Sequence, residues 1–480
     1  MRRPVQIAIL FAVVPLVLVV AVVVGPIEVS RAAPVFTVAV PEDAPDAAPD
    51  GNCASTYLGL CTLRAAIQEA ERAGGGVVVL PVSGLGDFRL TIPPGPEATG
   101  PPSNATGDLD ISTTIRVEGA GVDVTAIDGQ GAHRIFDVHA GGALTLQNLT
   151  LQNGKGDYDG ATNHVHGGAI HNHGWVSLYR VAVINSSVDA AGWGGGGITN
   201  AGTGVAQLAS VTVARNATAA QGGGIENLGE LRLLGVTVAE NSASLVGGGI
   251  YVAPNATVVT AAALVAQNAG GDCKVPAGFV ATSSGANLAE DGSCGFTNAT
   301  DRTGSPGFDT SVFGPPLFYP LLASSQALDT GYLCQPFDVR GGSRPLDGNG
   351  DGVPWCDSGS YESAAVAVPT CNGLTATISV NTQGVVVGGP GNGRRYGGKL
   401  SGTAGDDVIV GTSKRDLIWA KAGDDVVCAG DGDDEIDADA GNDTITGGPG
   451  PDRFDGGAGK DQATDFSAAE GDLKKSVEKW

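Results

Sequence analysis

An all-β chain built as two consecutive solenoids is the fold class this sequence predicts, and three observations predict it. Glycine makes up 76 of 480 residues and aromatics only 5%, which favours tight turns and small, closely stacked side chains. Ile170, Ile198, Ile225 and Ile250 recur at separations of 28, 27 and 25 residues, each behind a glycine-rich run. Asp407, Asp416, Asp425, Asp434, Asp443, Asp452 and Asp461 recur every 9 residues without a slip.

The first periodicity sets the middle of the chain. "GGAIHNHG", "GGGITNAG", "GGGIENLG" and "GGGIYVAP" alternate with short segments such as "VSLYRVAVIN" and "LRLLGVTVAEN". Alternating apolar residues bounded by turn residues read as strands, and a period of this size without helical spacing reads as coils stacked into a solenoid. Parallel stacking places equivalent side chains in columns about 4.8 Å apart. The four isoleucines then form an interior ladder, each contributing about 1.5 to 3 kcal/mol on full burial. The asparagines that end the segments, Asn153, Asn185, Asn216, Asn241 and Asn268, are expected to form a second ladder at the bends, each amide bonding the next coil.

Ahead of the repeat, Met1-Arg2-Arg3 precedes an apolar run from Ile7 to Val24, with small residues at Ser30 and Ala32. Residues 1–33 read as an export signal, or, left uncleaved, as a membrane anchor; no later segment is apolar enough to span a bilayer. Eight cysteines in an exported chain point to disulfides, and spacing suggests the local pairs Cys53–Cys61, Cys273–Cys294 and Cys334–Cys356; Cys371 and Cys428 remain, and sequence leaves the connectivity open. In residues 34–79, Leu63, Ala66, Ile67 and Ala70 fall at helical spacing and Gly74 can end the helix.

Two stretches carry a family likeness. "CTLRAAIQEA" resembles the CSLREA segment of exported bacterial β-helix proteins, with Thr62 and Ala65 departing from it, and implies a cap on the repeat. Residues 80–365 resemble right-handed parallel β-helix proteins, from the rungs "IRVEGAGVDVTAIDGQG" and "LTLQNLTLQNG" to the closing "CQPFDVRGGSRPLDGNGDGVPWCDSGSYE". Residues 366–400 form a linker with a decayed repeat, "VGGPGNGRRYGG", in which Gly393 stands where an acid belongs, and residues 467–480 form a polar tail.

The acidic repeat at 401–466 fits G-G-x-G-x-D-x-U-x, with Ile409, Ile418, Val427, Ile436, Ile445 and Phe454 two places after their aspartates and Ala463 as the exception. It resembles the RTX-type calcium-binding parallel β-roll. The resemblance implies two nonads per turn, so Asp407, Asp425, Asp443 and Asp461 stack on one edge and Asp416, Asp434 and Asp452 on the other. Stacked carboxylates repel and raise one another's pKa, and a hard cation with six to eight oxygen ligands removes that penalty. Lys414 and Arg415 make the second nonad a weak site. The best sites are expected between the loops of Asp425 and Asp443, Asp443 and Asp461, and Asp434 and Asp452.

Other candidates are less specific. "DGNGDG" places Asp347, Asn349 and Asp351 at positions one, three and five of an EF-type loop, but its twelfth position is Ser358. His164, His166, His171 and His173 invite a zinc reading, set against exposed rung residues because no acid or cysteine joins them in sequence. Glu226, Glu230 and Arg232 are the nearest approach to a catalytic group on the coils, set against a solvated face. A net charge of −24 excludes nucleic acid as a partner class. The reading is an exported calcium-binding protein, secreted or at the cell surface. Its β-helix presents a surface to a glycan or protein in the manner of an adhesin; a polysaccharide lyase or glycoside hydrolase, or a purely structural surface-layer component, are the alternatives.

Overall fold

The computed structural model describes residues 33–479 apart from 49, 82–85, 94–103, 157–165, 191, 193, 310–316, 323, 332–333, 349–352, 364–368, 381–385 and 393. The export and anchor readings, His164, Gly393 of the decayed repeat, and Asn349 and Asp351 of the EF-type loop lie outside the described residues. Among the described residues no helix is long and apolar enough to cross a membrane.

The entry module carries the helix Leu63–Arg72, whose N-cap Thr62 hydroxyl accepts the Ala65 amide at 3.2 Å. Its face of Leu63, Ala66, Ile67 and Ala70 is buried in the same core as the coils, and Gly74, at φ 76°, follows its end. Arg64 is also buried: it pairs with Asp43 at 2.6 Å and donates to the Gly107 carbonyl at 2.7 Å, so its charge is both paired and hydrogen-bonded. The adjoining strand Gly76–Val79 pairs in parallel with Thr114–Glu118, which makes this module the first layer of the solenoid.

The coils form a parallel β-helix, as the first periodicity predicts. One long sheet stacks Ala143–Gln152, Trp175–Ile184, Val205–Ala214 and Glu230–Ala239; a second stacks Phe136–Val138, Ile170–Asn172, Ile198–Asn200, Ile225–Asn227 and Ile250–Val252; a third, of two-residue strands, stacks Ser187–Val188, Ala217–Thr218 and Ser242–Ala243. Ile170, Ile198, Ile225 and Ile250 are successive register partners and all are buried. The glycines ahead of them have a steric cause. A Cβ on Gly196 would collide with the Gly223 carbonyl, and one on Gly223 with the Gly248 carbonyl, because the coils pass too closely there for any side chain.

The expected asparagine ladder is half right. Asn216, Asn241 and Asn268 do form it, Nδ2 to Oδ1 at 3.0 Å at each step. Asn153 and Asn185 do not belong to that column: they sit one place earlier, at φ 53° and 54°, in line with Arg215, Glu240 and Gln267 at φ 55°, 56° and 57°. The bend demands a left-handed residue there, which asparagine tolerates, and Ser186 takes the ladder position instead, its amide donating to Asn216 Oδ1 at 2.9 Å. A second ladder, Asn172–Asn200–Asn227, runs through the other bend with both Nδ2 to Oδ1 distances at 2.8 Å. Asn200 is fully buried and also donates to the Glu230 carbonyl at 2.9 Å. Asn200→Ala is therefore expected to cost about 3 kcal/mol, since it strands buried donors and acceptors. Asn185→Gly, at an exposed left-handed position, should stay within about 0.5 kcal/mol. Urea unfolding of the calcium-loaded protein reads both.

The closing region does more than end the solenoid. Tyr319 and Val339 pack on Ala182, Ala214 and Ala239 of the long sheet, and Ser360 bonds Thr212 at 2.8 Å and Thr237 at 3.1 Å. Arg344 and Glu362, both fully buried, pair at 2.7 Å beneath this cover. The outward face of the long sheet is thus closed over these rungs, which accounts for its small outward residues. The three local disulfides suggested by spacing are formed, and the two remaining cysteines pair as Cys371–Cys428, which ties the linker to the acidic repeat.

Candidate metal centre

Each nonad yields one short strand, and alternate nonads share a sheet. One sheet orders Val408–Val410, Val426–Cys428, Thr444–Thr446 and Gln462–Ala463; the other orders Lys399–Ser401, Leu417–Trp419, Glu435–Asp437, Arg453–Asp455 and Leu473–Lys475. Ile409, Val427, Ile445 and Ala463 stack from one side and Leu400, Ile418, Ile436 and Phe454 from the other, none more than 1% exposed. This two-sheet roll leaves the aspartates at its edges, two residues ahead of every core position after Leu400. Its turns stack as tightly as those of the coils: a Cβ on Gly441 would collide with the Gly423 carbonyl, and one on Gly459 with the Gly441 carbonyl.

The two carboxylate oxygens of each repeat aspartate differ in their surroundings. Oδ1 accepts the backbone N–H of the aspartate 18 residues earlier: Asp425 from Asp407 at 2.7 Å, Asp443 from Asp425 at 2.8 Å and Asp461 from Asp443 at 3.0 Å. On the opposite edge Asp434 accepts from Asp416 at 2.7 Å and Asp452 from Asp434 at 2.9 Å. Oδ2 of Asp425, Asp434, Asp443, Asp452 and Asp461 is buried and has no hydrogen-bond partner. Five acceptors in two columns, each withdrawn from water with no donor supplied, cost about 1 to 3 kcal/mol apiece unless something positive meets them.

Asp407 and Asp416 differ from those five. Asp407 Oδ2 accepts the Thr403 amide at 2.6 Å and hydroxyl at 2.9 Å. Asp416 accepts the Thr412 amide at 2.6 Å on Oδ2 and the Thr412 hydroxyl at 3.2 Å on Oδ1. These are the first acids of their columns, and threonine in place of a turn glycine supplies their donors locally. Two further acids, missed in the sequence because they break the period of nine, close the other end: Asp472 Oδ1 accepts the Asp452 amide at 2.9 Å and Glu478 Oε2 the Asp461 amide at 2.7 Å. The polar tail therefore includes the last layer of the roll, through the strand Leu473–Lys475.

Burial pushes the Asp425, Asp434, Asp443 and Asp452 carboxyls up to about 6, and neighbouring carboxylates push the same way against the amide bonds they accept. Asp461 and Asp416 are raised by the same cause. At neutral pH the fold thus holds ionised carboxylates under strain. Unpartnered oxygens, acceptor-only chemistry and stacked negative charge fit a hard divalent cation and fit no organic cofactor.

The remaining candidates separate. Asp347 is partly exposed, its two EF-type companions being outside the described residues. Glu226 is buried, accepting from Thr199 at 3.3 Å and Gln221 at 3.1 Å, while Glu230 pairs with Arg232 at 2.5 Å. The three do not share a partner. His166 stacks on His171, ring centroids 5.2 Å apart, His173 meets His171 edge-on at 4.4 Å, and His171 lies beside Arg134 at 3.2 Å and Asp137 at 3.6 Å.

Residues 401–436 and 429–463 match the family of the RTX calcium-binding nonapeptide repeat, in its form of 4 copies. No curated protein and no solved structure matches the chain. A parallel β-helix followed by a roll of RTX calcium-binding repeats is what this chain folds into.

Proposed function

We propose that this is an exported protein, secreted or held at the cell surface, whose C-terminal roll takes up calcium outside the cell and whose β-helix presents a binding surface to a glycan or a protein. The observation that carries the calcium reading is the set of five buried, unpartnered Oδ2 atoms on Asp425, Asp434, Asp443, Asp452 and Asp461. These residues would hold the ions, aided by turn carbonyls; Asp407 and Asp416, with threonine donors on their carboxylates, would contribute less. Calcium supplies charge compensation there, and the chain's own part is to place acceptors on both sides of each gap through the 18-residue register. Four disulfides and the repeat type support a destination outside the cytoplasm.

Binding is favoured over cleavage because the catalytic group suggested on the coils, Glu226, Glu230 and Arg232, does not assemble. Glycosidic cleavage needs two carboxyls facing one bond. Glu226 is buried among Thr199 and Gln221, and Glu230 is neutralised by Arg232. With the long sheet covered by Tyr319, Val339 and Ser360, the flank of the short-strand sheet around Asp110 and His139, where the His139 side chain is half exposed, is a surface available to a partner among the described residues.

Circular dichroism of the full chain tests the calcium reading. The metal-free protein at neutral pH is expected to gain strand signal on addition of millimolar calcium, and magnesium at equal ionic strength to give much less. Equal responses to the two ions would reduce the effect to charge screening and remove the calcium assignment.

A further inference from the structure

The flank of the short-strand sheet carries a second set of ligands. On the outward face of the short-strand sheet, Asp110, Asp137 and His171 are successive register partners, one coil apart. Parallel stacking thus brings two carboxylates side by side, and His139, two places beyond Asp137, turns Nε2 to within 2.8 Å of Asp110 Oδ1. One ligand atom from each of Asp110, Asp137 and His139 lies within 4.8 Å of the other two.

A second observation concerns the charge balance. Asp137 Oδ1 is buried and has no hydrogen-bond partner. The nearby Arg134 is spread over other groups: Nε donates to Asp108 Oδ2 at 2.7 Å, Nη1 to the His166 carbonyl and to His171 Nδ1, both at 3.2 Å, and Nη2 lies 3.5 Å from Asp137 Oδ2. A guanidinium can only donate, so His171 Nδ1 accepts there and carries no proton to offer Asp137 Oδ1, 3.6 Å away. An orphaned carboxylate oxygen beside an imidazole and a second carboxylate is the donor set of a divalent ion of borderline softness, with zinc as its type. The His139 side chain is 40% exposed and that of Asp110 17%, so solvent reaches the group from one side.

The geometry points to a zinc-class metal site on the flank of the β-helix, held by Asp110, Asp137 and His139, with a coordination position open to solvent. It is separate from the roll in place and in chemistry, because an imidazole ligand favours a transition ion over calcium. An open position on an exposed flank lets a bound ion recruit an oxygen or nitrogen donor from a partner.

Cobalt(II), which takes the ligands of zinc and absorbs in the visible when bound by nitrogen and oxygen, is the probe. Full-length protein saturated with millimolar calcium, so that the roll is occupied, is titrated with cobalt and then with zinc. About one equivalent of visible absorption, displaced by zinc, is the expected result. His139→Ala and Asp110→Asn should each weaken cobalt binding more than about 100-fold, since even groups behind the ligands cost 10- to 100-fold. Asp443→Asn, in the roll, should leave it unchanged. Absence of the calcium-resistant spectrum, its survival in His139→Ala, or its loss in Asp443→Asn would each overturn the site. His139 is exposed enough for its alanine variant to fold, which thermal unfolding checks; that variant decides the matter if Asp110→Asn does not fold.

Discussion

Asp443→Asn is expected to lower the calcium affinity of the roll about 100-fold, whereas Asp416→Asn changes it less than about threefold, as read by isothermal titration of the full chain. The contrast follows from what each carboxylate already touches. Asp443 lies in the middle of its column: Oδ1 accepts the Asp425 amide at 2.8 Å, its own amide donates to Asp461 Oδ1 at 3.0 Å, and Oδ2 is buried and unpartnered. An asparagine keeps an acceptor for the Asp425 amide, so the turn is retained, but it removes a charged ligand from the gaps on both sides of it. Loss of about two decades corresponds to about 2.7 kcal/mol, of the order expected when a cation loses an anionic oxygen ligand. Asp416 has both oxygens engaged by Thr412, at 2.6 and 3.2 Å. A cation there would have to displace donors the chain already supplies. Equal losses in the two variants would mean that the columns act only as a diffuse field of charge.

Much of this was legible in the sequence, and the exceptions share a cause. The isoleucine column follows from period alone, because parallel stacking converts a repeat in sequence into a column in space, and the 18-residue register follows once the resemblance puts two nonads in each turn. Column membership, however, depends on single-residue offsets. Asn185 looks like Asn216 at the end of a strand, yet the left-handed bend takes the residue before the ladder, which in the neighbouring coils is Arg215 or Glu240. The closing acids Asp472 and Glu478 were hidden because the last turn drops the spacing of nine, and nothing local distinguishes them from other tail charges. The histidine flank shows the opposite limit. No acid adjoins His171 or His173 in sequence, and Asp137 and Asp110 arrive only through the stacking of earlier coils. A search down each column, rather than along the chain, would have found them.

Acidifying the metal-free protein from pH 7.5 to about 4.5 is expected to build strand structure in the roll, and acidifying the calcium-loaded protein over the same range to weaken its hold on calcium. The signs come from one set of groups. Burial first, then neighbouring carboxylates, raises Asp425, Asp434, Asp443 and Asp452 to about 6 in the fold, against about 3.9 for an aspartate in an unfolded chain. A carboxyl whose pKa is higher folded than unfolded takes up a proton on folding, so its contribution to stability is fully present below about 4 and is lost as pH rises through about 6. Without metal the roll is therefore weakest at neutral pH. Calcium reverses the dependence because it binds the ionised form: a proton on Oδ2 competes with the ion for the same lone pairs, and apparent affinity falls as pH drops through 6. Strand signal by circular dichroism in metal-free buffer, and calcium uptake by titration at matched pH, separate the two arms. A metal-free roll that loses strand on acidification would show that its carboxylates are stabilised as anions by the chain itself. The five unpartnered oxygens would then need no cation, whereas opposite slopes in the two arms make proton and calcium alternative occupants of the same gaps.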